Sequence, residues 1–381
     1  MYIYILILVL AMAGAFFLPQ KSSKSTAFLA CWMIFLALFV GISDMLGGYD
    51  RYIYSELFDE VADLRKEGRD VLTAYIFQQY PTELGYAYFN VILSYFTANR
   101  YVFIFVVTLI IYALYYLNIK HYASDYRIAL LLFLALLFFF TFTYLRQMIG
   151  VAIAGCSLIY VYERKLWKFV ALVLLAASFH NSAAILFPVY FIPMRKYGIS
   201  SVVLVMLICF VIGLSGVSSN IFEAYSSASG LETRTNKYIE DTSGFRIAYL
   251  LESLFFLWLI LGNYGKLGTD KKQVVLLNVA LAFCAILLLF VRSENGGRLG
   301  WYYMMGLIAT LTSLLFQQRK NVFNKVLVYM VVFFLYLRIL TIWDIYLYPY
   351  KTFFTNGVRK GDFIYEHYEY DENYVIDKFY R

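Results

Sequence analysis

This sequence predicts an all-α polytopic membrane protein of about 12 transmembrane or half-membrane helices, counting apolar runs against the length that crosses a bilayer. Three observations carry that expectation. Apolar residues make up 62% of the 381 and mean hydropathy is +0.67, where a soluble domain is nearer half apolar. Apolar runs approaching the roughly 20 residues of a membrane helix recur along the chain. Basic residues gather in short loops between those runs, the pattern of a cytosolic face. Hydrocarbon cannot satisfy open backbone groups, so the spans must be helices.

Residues 2–18 form the first predicted span. They lack a basic leading segment, which argues against a cleaved signal peptide. Lys21 and Lys24 mark a cytosolic turn, and residues 27–42 return as the second span. Residues 43–84 are polar and hold nine acidic side chains against four basic ones, which suits an external loop. The apolar stretch 85–97 is too short to cross and reads as an interfacial helix. If it crossed, Arg164, Lys165, Lys168, Lys271 and Lys272 would all fall outside, against the positive-inside bias.

Spans then follow at 101–117, 128–144, 148–162 and 166–179. Residues 169–194 are too few for two full crossings. One or both arms must be shortened, tilted or re-entrant, which places His180 and Asn181 at a turn in or just above the membrane. The remaining segments are 183–194, 202–217, an external loop 218–246, 247–261, 274–291, 299–316 and 326–343. Residues 1–343 thus form one transmembrane domain with both ends external, and 344–381 form a charged, Tyr-rich C-terminal tail.

Several function classes drop out. The net charge of +7 is spread through short loops beside spans, so no nucleic-acid partner is expected. Cys31, Cys156, Cys209 and Cys284 stand alone in apolar runs and show no metal-ligand spacing. The thin cytosolic loops carry no nucleotide-binding glycine motif. No metal and no cofactor are expected, and the chemistry is placed at the external face, where polar residues accumulate.

Four stretches converge on that face. In Gly47-Gly48-Tyr49-Asp50-Arg51 the glycines permit a tight turn that presents Asp50, whose alternative role is helix capping. In Pro81-Thr82-Glu83-Leu84 the carboxylate of Glu83 opens the interfacial helix, again with capping as the alternative. Arg146, followed by Gln147, starts one arm of a helical pair whose other arm ends at His180 and Asn181. The reading of Arg146 as a wet interfacial group, against that of a snorkelling anchor, implies that its loss leaves folding intact. In the fourth stretch, Arg292 and Arg298 flank Gly296-Gly297 ahead of Tyr302, a combination able to hold phosphate through guanidinium and backbone N–H groups.

These residues, Asp50 to Tyr54, Glu83-Leu84-Gly85-Tyr86, Leu145-Arg146-Gln147, Phe179-His180-Asn181-Ser182-Ala183 and Arg298 to Tyr302, resemble in order and spacing the EpsG family of Wzy-like polysaccharide polymerases. Leu84 stands where the family often has Pro, and the tail after Tyr346 is longer and more charged than the family pattern. The resemblance implies a GT-C-like membrane glycosyltransferase of the bacterial inner membrane. It would polymerise oligosaccharide repeat units carried on polyprenyl pyrophosphate, with other polysaccharide-assembly membrane proteins as further partners beside the lipid bilayer.

That chemistry needs cationic stabilisation of the departing pyrophosphate and a base or acceptor for the attacking sugar hydroxyl. Arg146 and Arg298 are the leading cations, with Gln147, Asn181, Arg292 and Tyr302 as further substrate-binding candidates. His180, Asp50 and Glu83 are the catalytic candidates, His180 first. A polysaccharide flippase or transporter and a membrane glycan acyltransferase are the rival classes. The first is disfavoured by the absence of a visible repeat, and the second by the absence of another His near His180.

Overall fold

The computed structural model describes residues 1–217, 244–293, 295–317, 322–358 and 360–381, so most of the expected loop 218–246 lies outside the described residues. Among the described residues all regular elements are helical, and Ser43 and Thr352 make an isolated antiparallel bridge. The α-helices in chain order are α1 (Tyr2–Phe17), α2 (Thr26–Gly41), α3 (Tyr49–Lys66), α4 (Tyr75–Gln79), α5 (Leu84–Ser94), α6 (Arg100–Tyr122), α7 (Tyr126–Leu136), α8 (Leu145–Tyr162) and α9 (Leu166–Phe179). They continue as α10 (Ile199–Ser215), α11 (Ile247–Leu261), α12 (Lys271–Leu289), α13 (Asn295–Gly300), α14 (Met304–Gln317) and α15 (Val322–Ile342), with three short helices in the tail.

Five helical runs among the described residues are long and apolar enough to cross a membrane: Arg100–Tyr122, Leu145–Tyr162, Lys271–Leu289, Gly296–Gln317 and Phe323–Ile342. Shorter apolar helices surround them, and together they make a polytopic helical protein. Burial sorts centre from rim. The run ending α14 is 94% inside the molecule, whereas that of α15 is 22% inside and presents its apolar side outward. Every residue of α7 is buried. In α1, Tyr4, Ile7, Leu8, Ala11 and Ala15 face inward at helical spacing, while Leu6, Val9 and Leu10 face out. An apolar outer face costs nothing against lipid, which is why these helices carry no polar stripe.

One expected span is broken along the chain path, and two other segments take a definite form. Residues 128–144 do not form one span. Helix α7 stops at Leu136 and a 3₁₀ turn, Phe138–Phe142, leads into α8. There Thr141 turns its hydroxyl back onto the Phe138 carbonyl at 2.6 Å and meets Tyr112 at 2.9 Å, a side-chain alternative to the helical ladder. The polar segment 43–84 is mostly helical: α3 buries Tyr52, Tyr54, Phe58 and Val61 on one face and exposes its acids on the other. Its entry uses both glycines at positive φ, +113° at Gly47 and +101° at Gly48, conformations that L side chains rarely adopt.

The pair of arms over 169–194 resolves in the first way foreseen, by shortening. Helix α9 has 14 residues, and the returning arm, Asn181–Phe191, is an 11-residue 3₁₀ helix. At about 1.5 Å per residue for α and about 2.0 Å for 3₁₀, the two arms have nearly equal length, about 21 and 22 Å. The tighter helix lets the short return match its partner, and neither spans a hydrocarbon core of about 30 Å. Helix α5 lies beside them. It buries Tyr86, Ala87, Asn90 and Ser94 and exposes Leu84, Tyr88 and Ile92 at i, i+4, i+8, one apolar stripe on its outer face.

The tail spends its charges internally. Lys351 pairs with Asp362 and lies 3.4 Å from Asp44, and Lys378 lies 3.0 Å from the same Asp44, all four buried. Backbone bonds from Asp44 N–H to Lys351 and from Phe353 N–H to Ile42 stitch it to the end of α2. Arg51, fully buried, donates to the Val40 and Leu46 carbonyls and to Ser43, closing the C-terminus of that helix.

Candidate active site at one end of the bundle

Glu83 occupies the N-cap position of α5 but does not cap it. Its carboxylate reaches across to the second residue of α8 and pairs with the Arg146 guanidinium. Its other oxygen accepts the Asn181 backbone N–H at 3.0 Å. One carboxylate therefore fastens the start of α8 to the turn between α9 and its 3₁₀ return. Gly85, next in α5, makes this approach feasible: a Cβ there would fall 2.1 Å from Ser178 Oγ and 3.0 Å from the Ser178 carbonyl.

Arg146 is not a wet interfacial group. It is 7% exposed, its guanidinium carbon lies 3.6 Å from the centre of the Tyr80 ring, and Tyr54 and Tyr86 stand at 5.6 and 5.7 Å. Cation–π contacts in a desolvated cage are each worth up to about 2 kcal/mol. Burial explains the correction. An Arg at the start of an apolar helix snorkels when lipid surrounds it, but here α3, α4 and α5 fold over it. Its loss therefore removes one partner of a buried ion pair.

His180 ends α9, where the backbone turns extended at φ −153°. Its Nδ1 lies 2.7 Å from Ser182 Oγ, which lies 2.9 Å from the Tyr302 hydroxyl. Gly150 keeps α8 open on this side, since a Cβ there would meet the Ala176 carbonyl at 3.2 Å and the His180 Cβ at 3.5 Å. Gln147, one residue after Arg146, donates to the Arg298 carbonyl at 3.1 Å. The Arg298 guanidinium is half-buried on the Tyr144 ring at 4.0 Å and stands 4.0 Å from Asp50. Asp50 is thus in the first turn of α3 without serving as its cap. Tyr54, one turn further along α3, faces Arg146, so this helix runs past both cations.

The structure therefore brings together Asp50, Glu83, Arg146, Gln147, His180, Asn181, Arg298 and Tyr302, from five segments of chain. Arg292 goes elsewhere: its guanidinium donates to the Leu214 carbonyl at the end of α10, 3.0 Å away. Sequence reasoning passed over Ser182, Tyr80 and Tyr144 as site groups. Ser182 lay inside the His180 motif and Tyr144 beside Arg146, but nothing in a chain so rich in tyrosine singles out Tyr80. Among the described residues no three His, Cys, Asp or Glu side chains gather as metal ligands.

Residues 26–352 match the EpsG family. The chain belongs to that family. No curated protein and no solved structure matches it. EpsG membership makes a role in exopolysaccharide polymerisation the expected one, and a glycosyltransferase-like activity consistent with it. The matched stretch takes in every residue of the cluster just described, and ends at the bridge that ties the start of the tail to α2.

Proposed function

We propose that this chain is a Wzy-like polymerase of the bacterial inner membrane, with GT-C-like architecture and about 12 membrane or half-membrane segments. It transfers a growing glycan from polyprenyl pyrophosphate to a hydroxyl of the next lipid-linked repeat unit at the external face. The observation that carries this reading is the fastening of the candidate groups to one another: Glu83 holds both Arg146 and the Asn181 N–H beside His180, while Gln147 holds the backbone of Arg298.

In the transfer, the bond between the anomeric carbon and the pyrophosphate oxygen breaks, and a bond to the acceptor hydroxyl oxygen forms. The acceptor proton passes to His180, and polyprenyl pyrophosphate departs with the electron pair. For His180 to act as base, Nδ1–H donates to Ser182 Oγ and Nε2 takes the proton; Ser182 in turn donates to Tyr302. A base oriented by a hydrogen bond on its far nitrogen is the usual arrangement of such a group. Arg298, half-buried between Tyr144 and Asp50, contacts the leaving diphosphate. Arg146, held by Tyr80 and Glu83, adds fixed charge beside it, the preorganised kind that strengthens as charge develops. Asp50, close to Arg298, orients a sugar hydroxyl, and Asn181 presents its amide to the glycan.

The test is polymerisation of purified lipid-linked repeat units by purified full-length protein in proteoliposomes. Products lengthened by whole repeat units, with polyprenyl pyrophosphate released in equal amount, are expected. Movement of repeat units across the bilayer without lengthening would make the chain a flippase, and acyl transfer to the glycan would make it an acyltransferase.

A further inference from the structure

A cleft of about 450 Å³ lies beside the polar cluster and shares Arg298 with it. Its walls come from α7, α11, α12, α13, α14 and α15, with the turn before α8. Three arginines, Arg246, Arg298 and Arg338, line it against one carboxylate, Glu252. Glu252 and Arg338 pair at 2.8 Å. Both sit inside helices that are otherwise apolar where they line the cleft, and charges so placed are costly unless used.

The cleft is amphipathic along its depth. Arg246 stands just before α11, Arg298 lies in the last turn of α13, and Arg338 is four residues, or about 6 Å, before the end of α15. Further down the lining is Phe283, Leu287 and Leu335. Phe140, Trp301 and Trp343 form an aromatic side wall, with ring centres 4.4 Å apart for Phe140 and Trp301 and 5.5 Å for Phe140 and Trp343. The mouth opens sideways: Ile342 and Arg338 line the cleft and are also on the outer surface, beside the exposed Phe334 of α15 and Leu251 of α11. The plain alternative is an ion pair tethering two outer helices. A tether needs one cation and a packed interface. This pair borders a hollow lined by two further arginines, Arg246 and Arg298, the second of which also faces Asp50 at 4.0 Å.

We infer that this cleft is the lateral seat of the polyprenyl diphosphate donor. The diphosphate lies between Arg246, Arg338 and Arg298, the first isoprene units run down the apolar floor, and the glycan passes Arg298 towards His180. Glu252 is the counter-ion that holds Arg338 until the diphosphate displaces it. The inference rests on the polymerase reading for the identity of the lipid, but not for its test.

Binding is measured with a photoreactive polyprenyl diphosphate, without glycan, presented to the full-length protein in neutral phosphatidylcholine nanodiscs, with crosslinks mapped by mass spectrometry. Crosslinks are expected on α11 and α15. Arg246→Gln and Arg338→Gln should each weaken labelling roughly tenfold or more, the usual loss for a charge-assisted hydrogen bond. Glu252→Gln should retain or strengthen it by freeing Arg338. Ile339→Trp, which fills the hollow and leaves every charge in place, should block it, and so guards against misreading a fold defect in the arginine variants. Competition by unlabelled polyprenyl diphosphate, but not by phosphatidylglycerol or inorganic pyrophosphate, is the supporting pattern. Equal competition by phosphatidylglycerol makes the cleft a general anionic-lipid site, and equal competition by pyrophosphate makes the apolar floor irrelevant; either overturns the inference. So does wild-type labelling in both arginine variants and in Ile339→Trp. Polymerisation with such wild-type labelling would sink the cleft and spare the polymerase reading. Specific labelling without polymerisation would do the reverse.

Discussion

Arg100 and Arg146 begin alike and end differently. Each lies in the first turn of a long apolar helix, α6 and α8, each is less than a tenth exposed, and each stacks on a tyrosine, Tyr374 at 4.1 Å and Tyr80 at 3.6 Å. Arg100 is saturated. Asp59 takes two of its nitrogens at 2.6 and 2.8 Å, and Glu369 from the tail takes a third at 3.2 Å. Burial pushes both of those carboxyls up, against the pull of Arg100. Arg146 has a single carboxylate, which it shares with the Asn181 backbone, and its Nε is buried without a partner among the described residues. A cation with two counter-ions locks a tail in place. A cation with one counter-ion that also holds the Asn181 N–H ties α8 to the turn that carries the half-buried His180.

That difference can be broken from either side. The largest effect is expected at the group attached to the Arg146 side: His180→Ala should lower turnover by about 10²–10⁴-fold, the range for a lost general base. His180→Gln should be as poor if the ring is the base, and a substantial recovery in Gln would reassign it to holding phosphate. Arg146→Ala should lower repeat-unit transfer about 10²–10³-fold, and should also cost about 3–5 kcal/mol of stability because Glu83 is left buried and unpaired. Arg146→Lys keeps charge without the planar fork and should restore little of the turnover.

Arg100→Met should cost a similar 3–5 kcal/mol, read as a lowered unfolding midpoint in detergent. Transfer per folded molecule should stay at the wild-type value, because the lost contacts serve the tail. A fall in per-molecule transfer comparable to that of Arg146→Ala would erase the distinction between the two arginines. The smallest stability effect belongs to Asp50→Asn. Its pair with Arg298 is 4.0 Å apart and about a third exposed, so about 0–1 kcal/mol is at stake. The expected change is a raised KM for the acceptor with the unfolding midpoint unmoved.

Much of this was legible before any coordinates. The brevity of 85–97 marked a helix too short to cross, and the shortage of residues in 169–194 required a non-standard return. Both follow from lengths, and lengths are written in the sequence. The residues of the cluster were nearly all named from polar groups at span ends. What the sequence hid was pairing at distance. Nothing local shows that Glu83 would skip its cap to meet a side chain 63 positions on, or that Arg100 would be closed by an acid 269 positions away. The break at Phe138–Phe142 was hidden for a different reason. Its residues are as apolar as those of any span, and only packing around Thr141 and Tyr112 turns the chain. Tail charges likewise look solvated until their partners, Asp44 after α2, Asp63 in α3 and Arg100 in α6, are known.

On the proposed mechanism the Arg146–Glu83 pair is kept for transfer and not for folding. The double variant Arg146→Met, Glu83→Leu tests it most directly, since it removes both charges and leaves neither buried alone. Replacing a buried ion pair by apolar side chains of similar volume is commonly neutral or stabilising, so the unfolding midpoint should return to that of the wild type, recovering the roughly 3–5 kcal/mol lost in Arg146→Ala. Turnover on lipid-linked repeat units should remain about 10²-fold or more below wild type. A double variant that regains both stability and turnover would contradict the account, and would make Arg146 a second Arg100.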